Sequence, residues 1–215
     1  MIEITASLQK VVAKLEAMFS TFNDKYYDGK LQTPVITVSP DVTSGSYGWC
    51  TTWKAWKREG TDGFYEINIT AEHLSRPFKN ICATMLHEMV HLWNLQNGVK
   101  DTSRGFSYHN KLFKNEAEIR GLSIEHDDKY GWTKTSLNQE ASDWLEIEFA
   151  GDMGFDLYRT AGIRHQPDEE GEEETKKKSS SRKYCCPECG MIVRATKEVR
   201  VSCMDCDIQL EEEIK

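Results

Sequence analysis

The chain has 215 residues, 39% hydrophobic and 29% charged, enough for one sizeable domain, or one domain plus a small module, of the globular class. Its formal charge of −8 excludes a protein that coats nucleic acid over its whole surface, while leaving room for a local basic patch. No apolar run reaches the roughly 20 residues of a membrane-spanning helix, and the start, "MIEITASLQKVVAKLEAMF", lacks the features of a secretory signal, so the sequence is read as intracellular and cytoplasmic, with no membrane partner.

In chain order, residues 7–27 predict a helix. Leu8, Val11, Val12, Leu15, Met18, Phe19 and Phe22 recur at helical spacing, and Gly29 supplies a stop. "PVITV" (34–38), "YGWCTTW" (47–53) and "FYEINI" (64–69) predict strands, with "REGTDG" as a hairpin turn between the last two. A second helix is expected from about Phe78 to Gln96 and a third from about Tyr108 to Arg120. "SDWLEIEFA" (142–150) fits a short helix or a strand. The order helix, strands, helix, helix predicts an α+β domain, a small sheet packed against helices.

Residues 167–183, "PDEEGEEETKKKSSSRK", contain an acidic block followed by a basic one and no large apolar side chain. Such a stretch cannot bury enough surface to order itself. It predicts a flexible charged linker over 166–183, separating a domain of residues 1–165 from a small module of residues 184–215.

Within the second helix, "CATMLHEMVHLW" places His87 and His91 four residues apart. On a helix, that spacing stacks two imidazoles on one face, where both reach one metal ion. Glu88 is turned aside from the metal yet within reach of a metal-bound water, whose proton it can take. Cys82, Leu86, Met89 and Trp93 form a separate apolar face. The competing reading makes the histidines ordinary surface residues. A catalytic zinc needs a third protein ligand and an open position. A third His six residues after His91 is ruled out, because that position is Asn97, and Asn94 stands where the corresponding motif has Gly. His109 and Glu116, both on the third helix, are the candidates, with His126 a further option.

Near the C-terminus, Cys186-x-x-Cys189 and Cys203-x-x-Cys206 are separated by thirteen residues. Four thiolates at this spacing predict a closed, structural zinc site. "MIVRA" and "EVRVS" read as the two strands of a zinc ribbon, and Cys185 is the spare cysteine. Cys50 and Cys82 are read as buried thiols without chemistry. Arg194, Lys197 and Arg200, with the basic end of the linker, offer a possible DNA contact.

"HEMVH" followed by "YHNKLFKNEAEIRGL" resembles the SprT-like family of zinc metallopeptidases, which includes the eukaryotic Spartan proteases. "LQTPVITVSPDVTSGSYGWC" is similar to the family's strand region, and "GWTKTSL" with the cysteine module fits its longer bacterial members. The likeness extends over about residues 7–206. In that family the third ligand is a His opening a helix with a Phe shortly after, which maps to His109 and Phe113 rather than Glu116. The usual His-Gly reads His109-Asn110 here. The resemblance implies a zincin-like endopeptidase with one catalytic zinc on His87, His91 and His109, one structural zinc on Cys186, Cys189, Cys203 and Cys206, and Glu88 as general base. It implies protein substrates, attached to or crosslinked with DNA. Tyr108 and Tyr130 are the candidates for oxyanion stabilisation, and "YGWCTTW" is a strand on which a peptide could align if it is a sheet edge. Trp49, Trp53 and Trp56 are read equally well as core and surface aromatics. The alternative function is a non-catalytic zinc-ribbon adaptor that binds nucleic acid or the transcription machinery.

Overall fold

A computed structural model describes residues 7–41, 45–151, 154–160 and 182–213. The chain divides into two compact units, residues 1–162 and 163–215. The linker expected over 166–183 lies outside the described residues except for Arg182 and Lys183, which begin a strand of the second unit. No described helix is long and apolar enough to cross a membrane.

The first unit is a mixed α+β structure. Helix α1 (Leu8–Tyr27) starts at Ser7, whose hydroxyl accepts the Gln9 N–H, and ends where Asp28 and Gly29 turn left-handed. Beyond it, Asn23 clasps the exit loop. Its side-chain amide donates to the Leu31 carbonyl at 3.1 Å and its carbonyl accepts the Leu31 N–H at 3.0 Å. Strands β1 (Val35–Ser39), β2 (Gly48–Cys50) and β3 (Glu66–Thr70) form a sheet in the order β1-β3-β2, with β1 parallel and β2 antiparallel to β3. The strand expected over 47–53 is thus confined to three residues, and it is an edge. Ile67 and Ile69 of β3 are fully buried and join the helical core.

A 3-10 turn (Ala71–Ser75) leads to α2 (Phe78–Gln96), the span the sequence predicts. This helix has no single apolar face. Ile81, Cys82, Met85, Leu86, Met89, Val90 and Leu92 are all buried, and the helix runs through the middle of the core. Gly48 allows β2 to lie against it: a Cβ there would sit 3.2 Å from Thr84 Cγ2 and 3.5 Å from Glu88 Cγ.

The third helix is shorter than expected. Tyr108 and His109 form strand β5, which pairs with β4 (Thr102–Ser103), and α3 spans only Lys111–Ile119. The reason is local: the Asn110 side chain accepts the N–H groups of Leu112 and Phe113, so Asn110 is the helix cap and His109 precedes it. A hairpin of β6 (Leu122–Asp127) and β7 (Gly131–Leu137), unassigned by periodicity, completes a four-stranded sheet of order β4-β5-β7-β6. The "SDWLEIEFA" stretch resolves as helix, within α4 (Gln139–Glu148), capped by Asn138. It buries Ala141 and Leu145 and packs Trp144 on Phe22 and Tyr26.

The second unit consists of β8 (Arg182–Cys185), β9 (Ile192–Ala195), β10 (Ser202–Cys203), β11 (Ile208–Gln209) and β12 (Glu211–Glu212). "MIVRA" does supply a strand, but its partner is "RKYC" rather than "EVRVS". Ser202 and Cys203 pair instead with Ile208 and Gln209. Tyr184, Cys186, Cys203 and Leu210 make up the buried core.

The Asn23 clasp is a test of how the first unit is held. Asn23→Ala leaves a buried N–H and C=O of Leu31 without partners and is expected to lower the unfolding free energy by about 1–3 kcal/mol. Urea unfolding followed by tryptophan fluorescence measures this; an unchanged midpoint would show that the clasp is dispensable.

Two candidate metal centres

The competing reading of the His87/His91 pair as surface residues does not survive the structure. His87 is 8% and Glu88 6% exposed, so both occupy the interior of α2's packing. One helical turn brings the Nε2 atoms of His87 and His91 to 3.2 Å from each other. His109, delivered from β5, places its own Nε2 3.1 Å from each of them. Gly131 makes that delivery possible. It pairs with His109 at a φ of +74°, and a Cβ there would fall 2.2 Å from the His109 carbonyl oxygen. Phe113, fully buried one turn into α3, lies under all three rings at centroid distances of 4.6–4.7 Å.

Three imidazole nitrogens this close need a reason. Asp101 Oδ2 accepts a hydrogen bond from His91 Nδ1 at 2.7 Å, and the Tyr130 carbonyl faces His109 Nδ1 at 3.4 Å. With Nδ1 protonated, the Nε2 of each carries only a lone pair, so the two cannot hydrogen-bond to one another. A cation at their focus removes the repulsion. Tetrahedral zinc with bonds of about 2.0–2.1 Å separates its nitrogen ligands by roughly 3.3–3.4 Å, close to the spacing found. The donor set therefore fits zinc. Burial, and then the neighbouring histidines, hold His87 well below the ordinary imidazole range, and burial with His91 lowers His109 to about 4. Both are neutral at physiological pH, the form that ligates metal.

Asp101 and Asn94 are the site residues that sequence reasoning missed. Asn94 Nδ2 donates to Asp101 Oδ2 at 3.0 Å, so Asn94, noted only for standing where a glycine was sought, orients the carboxylate that orients His91. Burial pushes the Asp101 carboxyl up, but the bonds from His91 and Asn94 outweigh it and keep it below its usual value. No spacing rule marks an aspartate ten residues after a ligand; only the fold reveals it.

Glu88 sits on the same helix, turned towards β2, where the Cys50 backbone N–H donates to its carboxylate. Burial raises its pKa to about 7; His91 opposes the shift and Asp101 adds to it. A carboxyl in that range can take and return a proton near neutrality. Glu116 pairs with Arg120 at 2.5 Å, and His126 lies against Trp132, so neither joins the histidine cluster. The Tyr108 hydroxyl faces His126 at 3.4 Å, and Tyr130 has an exposed ring under Lys129. Trp53 and Trp56 are exposed, and Trp56 Nε1 donates to Glu66. Burial pushes the Cys50 and Cys82 thiols up, into the protonated form.

In the second unit the sulfurs of Cys186, Cys189, Cys203 and Cys206 lie within 4.8 Å of one another, and those of Cys189 and Cys203 are 3.6 Å apart. Zinc–sulfur bonds of about 2.3 Å at tetrahedral angles require about 3.8 Å, so this donor set also fits zinc. Gly190, at a φ of +72°, donates its N–H to the Cys186 carbonyl and closes the knuckle. The Cys189 and Glu188 N–H groups hold the Cys186 thiol down at about 7. Cys185 stands outside the cluster, its Sγ 3.7 Å from the Cys186 carbonyl.

Over 116 residues the chain is 32% identical to the DNA-dependent metalloprotease SPRTN of Danio rerio. The match takes in 52% of this chain and 17% of that protein, so the chain spans about a sixth of its relative's length. No protein-family model and no solved structure matches the chain.

If Asp101 orients His91, Asp101→Asn is expected to weaken zinc binding at the histidine site by roughly 10–100-fold. A chelator competition titration reads this directly, with the cysteine site as internal control. Equal affinity in the variant would reduce Asp101 to a packing residue.

Proposed function

We propose that residues 1–165 form a zincin-like, single-zinc endopeptidase in which His87, His91 and His109 hold the ion. The observation that carries this is the convergence of three Nε2 atoms, those of buried His87 and half-buried His91 and His109, beside Glu88, a buried carboxylate on the helix that carries the first two. Zinc held there supplies Lewis-acid polarisation of a carbonyl and acidification of water. Glu88 takes the proton of the attacking water and passes it to the leaving amine; its raised pKa suits both transfers. Asp101 and Asn94 keep His91 in one tautomer and orientation. β2 is the edge of its sheet, next to Glu88, and is the strand along which an extended peptide aligns.

The reading extends to substrates that are DNA-associated or DNA-crosslinked proteins. Its support is the similarity to a protease whose name describes it as DNA-dependent. The exposed Arg194, Lys197 and Arg200 of the second unit supply cations for a phosphate backbone, and Cys186, Cys189, Cys203 and Cys206 hold a second, structural zinc.

Glu88→Gln is expected to retain full zinc content and to lose cleavage of an unfolded protein substrate by roughly 10²–10⁴-fold. Metal analysis and a gel-based assay on the same preparation decide the matter; a variant that still cuts at the parent rate refutes the peptidase assignment. Cys186→Ser is expected to release the second zinc and to abolish salt-sensitive DNA binding by the intact chain, measured by fluorescence anisotropy at several ionic strengths. Unchanged DNA affinity would move the contact away from the cysteine module.

A further inference from the structure

Arg76 closes the 3-10 turn that leads into α2. Its Nε donates to the His73 carbonyl at 3.1 Å and its Nη2 donates to Thr84 Oγ1 at 3.0 Å. The guanidinium carbon lies 4.0 Å from the ring centroid of Tyr47, which is 52% exposed just before the edge strand β2, and the His73 ring packs edge-on against the same tyrosine. A guanidinium has five N–H donors, and these contacts use two. Among the described residues no carboxylate pairs with Arg76. A half-buried cation without a counter-charge is costly to hold, and burial lowers the pKa of this one.

The position of this cation relates it to the chemistry. Thr84, its partner on α2, and Glu88 flank the same residue of the edge strand: a Cβ on Gly48 would lie 3.2 Å from Thr84 Cγ2 and 3.5 Å from Glu88 Cγ. Thr84 precedes Glu88 by about one helical turn, roughly 5.4 Å, and an extended peptide advances about 3.3 Å per residue. A peptide aligned on β2 with its scissile bond at Glu88 therefore brings a side chain to Arg76 about two residues from that bond.

We propose that Arg76 is a specificity-determining residue that recognises an acidic side chain of the substrate, about two residues from the scissile bond. The inference rests on the endopeptidase reading. The incoming carboxylate takes the open guanidinium donors in a charge-assisted pair, while Tyr47 and Thr84 hold the guanidinium plane.

The test uses the full chain with both metals bound and a randomised dodecapeptide library, acetylated and amidated at its ends, with cut sites read by mass spectrometry. The expected profile favours Asp and Glu over Asn and Gln by about tenfold or more at one position within about three residues of the cut. Arg76→Gln is expected to erase that ratio, Arg76→Lys to keep part of it, and Arg76→Glu to turn it towards Lys and Arg. Because each ratio is taken within one variant, loss of overall activity through disturbed packing does not enter it. Identical ratios in the parent and Arg76→Gln overturn the proposal and leave Arg76 as a tie between turn and helix. A preference found only at a fixed distance from a free C-terminus, in a non-amidated library, also overturns it, by assigning Arg76 to a terminal carboxylate. So does an Arg76→Gln effect that appears only when a single-stranded oligonucleotide is added, which assigns Arg76 to phosphate. A library left uncut by the parent chain, with both metals bound, defeats the endopeptidase reading and this inference with it.

Discussion

The first unit is arranged around one electrostatic difficulty: three imidazole nitrogens, at least two of them bare lone pairs, are held 3.1–3.2 Å apart at the margin of a packed core. Neutral histidines do not choose this. The rings stay together because the elements carrying them are fixed for other reasons. His87 and His91 ride on a helix buried along most of its length, and His109 is locked between the Asn110 cap and the Gly131 pairing. Phe113 fills the space beneath the rings, so no collapse can relieve the repulsion. The cost of that arrangement is carried by the surrounding core, and a divalent cation at the focus would turn it into binding affinity.

The two candidate centres differ in what a metal does for the chain around them. Among the described residues the first unit has a core of 24 buried hydrophobic residues drawn from α1, α2, α3, α4 and both sheets. Such a core contains none of the proposed metal ligands. The second unit has four, and two of them are the proposed ligands Cys186 and Cys203. There the cysteine cluster is half of the core, so in the proposed zinc-bound state binding free energy would become folding free energy. The same contrast suits the proposed donors: four cysteines would close a coordination shell, whereas three histidines would leave a position open to water or substrate.

Features set by neighbours in sequence were legible. The helix of residues 78–96 follows from apolar density and its "NG" stop, and the histidine pair follows from i, i+4 stacking. Features set by distant pairings were not. His109 looked like the first residue of a helix because "YHNKLF" has helical composition; its strand state depends on Thr102 and Gly131, seven residues before it and twenty-two after. The β6–β7 hairpin escaped because its strands mix polar and apolar residues on a half-exposed sheet, with a register shift at Glu125/His126 that breaks the alternation. Arg182 and Lys183 were assigned to the charged linker because they continue its basic end, yet they open the strand that carries the buried Tyr184 of the second unit. Asp101 had no signature at all.

The interior character of α2 resolves the oddity of a charged motif within an apolar run. A surface helix would offer its histidines to water, where they would be flexible and partly protonated. Burial instead keeps His87 and His109 neutral and raises Glu88 to about 7, so one physical cause sets the protonation of two proposed ligands and of the proposed proton acceptor. It also requires every other polar group nearby to be satisfied from within the fold. Asn94 and Asp101 meet that demand for His91, and the Cys50 N–H meets it for Glu88. The last of these ties the carboxylate to the edge strand, so β2 both supports Glu88 and presents the edge along which a peptide would run. Gly48 allows the strand to lie so close: a Cβ there would fall 2.7 Å from the Asn68 carbonyl oxygen of β3 and 3.2 Å from Thr84 Cγ2, so a side chain would force β2 to shift.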